Sequence, residues 1–326
     1  MHAALIREYG PPSVLRFEEV PDPEPARGEV VVELRAAALN RRDTNVRRGG
    51  AGDFPLPLVP GSDGAGVRRD TGEEVVIFPS LAWGPREEAP GRAFRILGGP
   101  DDGTYAELVA VPTENVYPRP QRLSWEEAAA LPLAGLTAYR ALFVRARLRA
   151  GETVLVLGAG SGVSTFAVQL ARLATARVLV TSSSAEKIER ARELGAEAGV
   201  LYTEENWIEE VRALTGGDGA DVVVDSVGST WPDSLRCLRP GGRLVVFGAT
   251  GGTSVEVAIR PFYTGQYSLL GTMMGSPLDF EGLLRTVEGS RWAPVIDSVR
   301  PLAEVAAAHE RLEAGEHFGK LVLSTG

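Results

Sequence analysis

The chain has 326 residues, of which 44% are hydrophobic and 24% charged, and its formal net charge is −9 at pH 7. That length holds two domains with an ample core, and the composition is ordinary for a globular protein. The acidic balance argues against non-specific nucleic-acid binding, which needs a basic face to release counterions.

The amino-terminal segment reads as β-structure broken by turns. Pro11, Pro12, Pro21, Pro23 and Pro25 forbid helix and central-strand positions, and residues 29–36 give the first clear strand. After Asn40 a helical turn ends at Gly49 and Gly50, a proline-rich loop runs into a glycine-rich strand, and a short strand follows at 73–78. Residues 79–102 lack periodicity and read as a surface lobe, after which the strand pattern returns at 105–111. Ser124 before Trp125, Glu126 and Glu127 marks a capped helix, broken at Pro132 and Gly135 and followed by a second helix over 137–147.

From Thr153 strands and helices alternate. Strands are expected at 153–157, 178–181, 221–225, 243–248 and 267–271, with helices at 185–194 and 207–214. This alternation requires right-handed parallel crossovers, hence a doubly wound sheet with ligands at the carboxyl ends of its strands. The tail reads as a helix at 280–288, an extended piece at 295–300, a helix at 302–314 and a closing strand at 320–323 that rejoins the first domain.

The stretch TVLVLGAGSGVSTFAVQ, residues 153–169, is a strand, a glycine turn and a helix start. Glycines let the backbone approach a ligand, and the helix start offers unpaired N–H groups to an anion, most often a dinucleotide pyrophosphate. Gly158, Gly160, Ser161, Gly162 and Val163 are the candidate cradle, although the third glycine of G-x-G-x-x-G would fall on Val163.

A single cysteine, Cys237, excludes an intrachain disulfide and any cysteine-built zinc site; near a helix end it reads as a buried hydrophobe. His2, His309 and His317 are too scattered for a metal motif. The 2 lysines, Lys187 and Lys320, against 32 arginines fit a biased genome or a heat-adapted source. Without a long apolar run or a signal pattern, a cytoplasmic protein is expected.

Nine segments in order, LNRRDTNVRRG, VPGSDGAGV, GTYAEL, AAALPLAGLTAYRAL, GSGVSTFAVQLAR, RARELGA, ADVVVDSVG, LRPGGRLVVFGAT and FGKLVL, carry a full-length resemblance. The chain resembles the medium-chain dehydrogenase/reductase superfamily, and within it the zinc-free quinone oxidoreductase-like branch. The resemblance implies an α/β protein with a GroES-like β-barrel catalytic domain (1–122), a Rossmann doubly wound parallel sheet (123–273), a segment (274–326) returning to the catalytic domain, and an active cleft between the two domains.

Zinc-bearing members of the family need ligands where this chain has Asn40, Ser62 with Asp63, and Leu133. A neutral amide, a serine and an apolar residue are not competent ligands, and Asp63 cannot hold the ion alone. The lobe at 78–98 also lacks the four cysteines that hold a structural zinc in many relatives. Asn40 is expected to face the acceptor as an amide donor, with Ser62 and Asp63 bordering the pocket and Asp43 structural, paired with Arg41 or Arg42.

For the cofactor, a carboxylate at the end of the second strand suits NAD, whereas this chain has Thr181, Ser182, Ser183 and Ser184 there with Lys187 nearby. Hydroxyls and a cation favour the 2′-phosphate of NADPH over NADH, and Ser184 also fits a helix cap. By resemblance, Thr137 lies near the nicotinamide, Tyr202 near the adenosine, Ser226, Phe247, Gly248 and Ala249 along the cofactor groove, and Lys320 at a basic position near the cleft. Ser164 takes the usual last-glycine position. The expected activity is hydride transfer from NADPH to a quinone or other conjugated carbonyl without zinc; an enoyl or alkenal double-bond reductase and a non-catalytic NADPH-binding protein are the alternatives. A homodimer or homotetramer acting on a small-molecule acceptor is implied, with 267–274 the first place to look for the contact.

Overall fold

Alternation of Val30, Val32 and Leu34 with less buried neighbours makes Glu29–Ala38 a strand with one core face, and it is the spine of a seven-stranded sheet. It pairs antiparallel with Asp63–Arg68, Leu108–Pro112 and the closing strand Lys320–Ser324. Val75, Ile77, Val109 and Val111 complete that core. Two facts of register place the site. Ala38 lies opposite Val322 on one side and Asp63 on the other. Continued antiparallel pairing therefore carries Asn40 to Lys320, and the Leu39 N–H still donates to the Leu321 carbonyl at 2.9 Å.

The computed structural model describes residues 1–326, which divide into two units: Met1–Leu136 with Gly275–Gly326, and Thr137–Met274. The tail Gly275–Gly326 groups with the first unit. The division falls at 136/137, however, and not at 122/123. The capped helix Trp125–Ala130 explains the difference, because its buried Ala128, Ala129 and Ala130 pack against the strands Glu29–Ala38, Asp63–Arg68 and Lys320–Ser324. Its expected cap is present: Ser124 Oγ accepts from the Glu127 N–H, and the Glu127 carboxylate accepts from the Ser124 N–H.

Pro132 opens a further helix, Pro132–Tyr139, rather than only breaking the first, and Gly135 lies inside it. What reads as one helix over 137–147 changes to a π-helical turn at Arg140–Arg145. The lobe without periodicity is clasped by the short pair Ser80–Leu81 and Arg95–Ile96. Buried Trp83 meets the edge of Phe94 at 5.4 Å, and its indole N–H donates to the Arg86 carbonyl at 2.8 Å.

In the second unit six parallel strands lie in the order Ala198–Leu201, Arg177–Ser182, Thr153–Val156, Ala220–Asp225, Leu238–Val246, Ser268–Gly271. Leu155, Leu179, Val200, Val223 and Leu244 fill one face. The chain reverses its direction of travel across the sheet at Thr153–Val156. That is the switch point at whose carboxyl end doubly wound sheets bind ligands. The sequence reading missed the strand Ala198–Leu201 because Ala198 and Gly199 have weak strand propensity; pairing with Leu179 to Ser182 overrides it. Cys237 follows the helix Trp231–Arg236, and burial pushes its thiol up to about 12, as an inert core residue requires. No helix is long and apolar enough to cross a membrane.

Candidate functional site

In the first unit three buried side chains from distant parts of the sequence meet. Asn40 is the residue before the helix Arg41–Arg47, Asp63 opens one neighbouring strand and Lys320 opens the other. The Lys320 ammonium, 2% exposed, donates to Asn40 Oδ1 at 2.6 Å and to Asp63 Oδ2 at 3.0 Å. The Asn40 amide Nδ2 donates to the same Asp63 oxygen at 2.8 Å. An ammonium has no acceptor, so its contact with the amide fixes which way the Asn40 side chain is turned. The other Asp63 oxygen accepts from the Leu133 N–H at 2.8 Å.

Asp63 is fully buried, and burial pushes its carboxyl above the ordinary carboxylate range. Lys320, Asn40 and the Leu133 N–H oppose that push, which is what keeps a buried charge tolerable. Lys320 therefore stands with Asn40 and Asp63 in the first unit, where the family pattern had placed it only near the cleft. Leu133, an apolar side chain at a ligand position, contributes its main chain instead.

Ser62, expected to border the pocket, is fully buried and its hydroxyl donates to the Leu97 carbonyl at 2.7 Å. It ties the strand entry to the lobe and keeps no hydroxyl donor for an acceptor. Asp43, expected to be structural and paired with Arg41 or Arg42, hydrogen-bonds to neither, although Arg42 is near enough to favour its charged form. One Asp43 oxygen accepts from the Asn40 N–H and from the Tyr105 hydroxyl, each at 2.8 Å. Arg42 points elsewhere, donating to the Gly99 carbonyl at 2.7 Å, with Ser62 Oγ and the Leu97 carbonyl at 3.4 Å. Behind Tyr105 lies His309, with Nε2 at 3.3 Å from the hydroxyl and its pKa lowered to about 3 by burial and by Arg47. Nothing in the local sequence pairs residues 43, 105 and 309; only the tertiary fold does.

Burial also raises Asp43 from 3.8 to about 6. Between those values the native state keeps a proton that the unfolded chain has released, so stability falls as pH rises through that window, by about 3 kcal/mol in total. The Asp43→Asn variant is expected to lack this component. Denaturant unfolding at pH 4, 5 and 6 checks it, and an unchanged slope with pH would exclude Asp43 as the source.

The second unit carries the glycine loop. Gly158 and Gly160 have φ of +73° and +103°, a region that other residues enter only with strain. A Cβ built on Gly158 would meet nothing within 4 Å, so the loop presents bare backbone to open space. Ser161 caps the helix Gly162–Leu173 by accepting from the Ser164 N–H, and the amides of Gly162 and Val163 lie in the first turn, where no helix partner is available. Ser164 is itself buried, its hydroxyl 2.9 Å from the Gly158 carbonyl. The serine in the last-glycine position thus pins the loop to the helix. These features fit a pyrophosphate.

At the end of Arg177–Ser182, Ser182 turns inward and accepts from the Ser184 N–H, Ser183 is exposed, and Ser184 caps the helix Ala185–Glu193 that carries Lys187. Thr137 is buried, whereas Tyr202, Gly248 and Ala249 are exposed and Ser226 and Phe247 partly so. The sequence reading passed over Asp225. It is fully buried and accepts from the Val227 N–H and from the hydroxyls of Thr230 and Ser234, which shapes the turn holding Ser226.

Residues 26–121 match the alcohol dehydrogenase GroES-like domain, and residues 162–289 match the family described as zinc-binding dehydrogenase. A quinone oxidoreductase of Pseudomonas aeruginosa is 35% identical, with 97% of each chain covered. A zinc-type alcohol dehydrogenase-like protein of Schizosaccharomyces pombe is 36% identical over 91% of this chain and 90% of its own. The crystal structure of an NAD-dependent alcohol dehydrogenase superposes with a TM-score of 0.93 at 41% identity, covering 100% of both chains. The chain belongs to the medium-chain dehydrogenase/reductase superfamily, in its quinone oxidoreductase-like branch, and is an oxidoreductase.

Proposed function

We propose that this chain transfers a hydride from NADPH to a quinone or another conjugated carbonyl, with the Asn40 amide as hydrogen-bond donor to the developing oxyanion and no zinc at the site. The observation that carries this reading is the knot of Asn40, Asp63 and Lys320. An amide whose oxygen receives an ammonium, a carboxylate with both oxygens engaged and a serine spent on a backbone carbonyl make a poor donor set for a divalent cation. No group of three His, Cys, Asp or Glu side chains is placed to hold a metal ion.

When bound, the reduced nicotinamide supplies two electrons as hydride. Hydride addition to a conjugated carbonyl places negative charge on its oxygen, and water supplies the proton that follows. Asn40 acts at that oxygen: its Nδ2 carries two hydrogens, of which one goes to Asp63. The glycine loop, Ser161 and the first-turn amides of Gly162 and Val163 would hold the pyrophosphate, with Thr137, Tyr202, Ser226, Phe247, Gly248 and Ala249 along the remainder of the dinucleotide.

The preference for NADPH rests on hydroxyls at the end of Arg177–Ser182, where a carboxylate would repel a 2′-phosphate. The relative named as an NAD-dependent enzyme keeps NADH as the second reading. Introducing that carboxylate at exposed Ser183 decides between them. Ser183→Asp is expected to lower the ratio of kcat/KM for NADPH over NADH by about tenfold or more, or about 1.4 kcal/mol. If the parent already favours NADH, the NADPH assignment is wrong. Steady-state turnover with quinones, enals, aldehydes and secondary alcohols tests the reaction class. Quinones and enals should be reduced fastest, and efficient oxidation of simple alcohols would overturn the reading.

A further inference from the structure

We propose that Lys320 is a positioning residue whose buried charge sets the donor strength of the Asn40 amide, filling electrostatically the part that a metal ion plays in polarising a carbonyl. This rests on the reading that Asn40 faces the acceptor, and it identifies what makes a neutral amide strong enough for that work.

The 2.6 Å contact between Lys320 Nζ and Asn40 Oδ1 is the shorter of the two that the ammonium makes here. A cation on an amide oxygen draws electron density from the nitrogen, so the N–H groups on the other end become better donors. Water would screen this effect at a surface, but Lys320 is 2% exposed and Asn40 7% exposed. Asp63 balances the cation without covering the amide, since it takes only one of the two Nδ2 hydrogens and is itself held by the Leu133 N–H. The backbone is fixed too: the Asn40 N–H is held by Asp43, which the Tyr105 hydroxyl anchors. Neither the charge nor the amide has room to reorganise as negative charge appears on an acceptor, which is the condition under which a preorganised donor is most effective. Lys320 is one of 2 lysines in a chain with 32 arginines. A compact ammonium suits a contact shared by one amide oxygen and one carboxylate oxygen, the two atoms that Lys320 reaches.

The test removes the charge without leaving its partner stranded. Lys320→Met combined with Asp63→Asn deletes both members of the ion pair and keeps an acceptor for the Leu133 N–H, so the double variant should fold and bind NADPH as the parent does; Asp63→Asn alone, in which Lys320 still faces Asn40 Oδ1, is the reference that carries the same change at the amide's other partner. Two readouts follow. With four asparagines in the chain and five in the double variant, selective nitrogen-15 labelling resolves the Asn40 side-chain amide, which an Asn40→Ala control in each background identifies. In the cofactor-free double variant this signal should move upfield, as a less polarised amide requires. In steady-state assays with quinones of graded electron deficiency, kcat should fall about tenfold to a hundredfold for the electron-rich acceptors and much less for the electron-poor ones. A structural defect would instead slow every acceptor by one factor. A uniform factor, an unchanged kcat, or an unmoved amide signal would overturn the role given to Lys320. Failure of the parent to reduce any acceptor would instead overturn the proposed reaction, while the difference in amide signal between the double variant and Asp63→Asn alone still reports whether Lys320 polarises Asn40.

Discussion

Lys320→Met alone is expected to be among the most destabilising single substitutions in the first unit, costing about 3–5 kcal/mol, because removing one member of a buried pair leaves the other uncompensated. The stranded group is Asp63, fully buried, with only the Asn40 amide and the Leu133 N–H left to hold its charge. Burial already pushes this carboxyl upward, and without the ammonium it should rise further and take up a proton. An acid with a raised folded value binds a proton in the native state before the unfolded chain does. The variant should therefore recover stability as pH falls through the window between the raised folded value and the ordinary one, and lose it as pH rises. Denaturant melts across that range measure both effects. An unchanged melting profile at neutral pH would mean that the pair does not form as described.

Gly158→Val is expected to abolish useful dinucleotide binding. The backbone there has φ of +73°, and a side chain would project into the open space that bare backbone now presents. Loss of two charge-assisted backbone hydrogen bonds to a pyrophosphate corresponds to about 3 kcal/mol or more, a hundredfold or greater increase in Kd. Strain alone must be separated from occlusion. Gly151 offers the control, since its φ is +80° and a Cβ there also meets nothing within 4 Å. Gly151→Val should destabilise the second unit comparably and leave affinity unchanged. Equal loss of affinity in both variants, followed by fluorescence of the reduced dinucleotide, would remove the glycine loop from the binding site.

The two elements behind these predictions were legible to different degrees. The glycine loop was visible because strand, turn and helix start are local patterns, and only the pinning by Ser164 depends on how the loop folds back. Asn40 and Asp63 were visible as substituted ligand positions. Lys320 was visible too, but only as a basic position near the cleft; that it joins them was not, because residues 40, 63 and 320 meet through strand register across the whole chain, and no local rule links a closing strand to a spine strand. For the same reason Asp43 was matched to neighbouring arginines, although the hydroxyl that reaches it comes from Tyr105. Asp225 is hidden because a strand-end carboxylate reads as part of a buried strand until its partners in the following turn and helix are seen. The 122/123 boundary moved to 136/137 because helix propensity marks where a helix starts but not which sheet it covers.

In the proposed reaction the Asn40 knot does the work of a metal. That role is tested most directly by kcat/KM for NADPH-dependent quinone reduction by the protein as purified, after stripping with a chelator and after adding zinc back, with zinc content checked by elemental analysis at each stage. The same value is expected in all three states. Activity that disappears with the chelator and returns with zinc would contradict it.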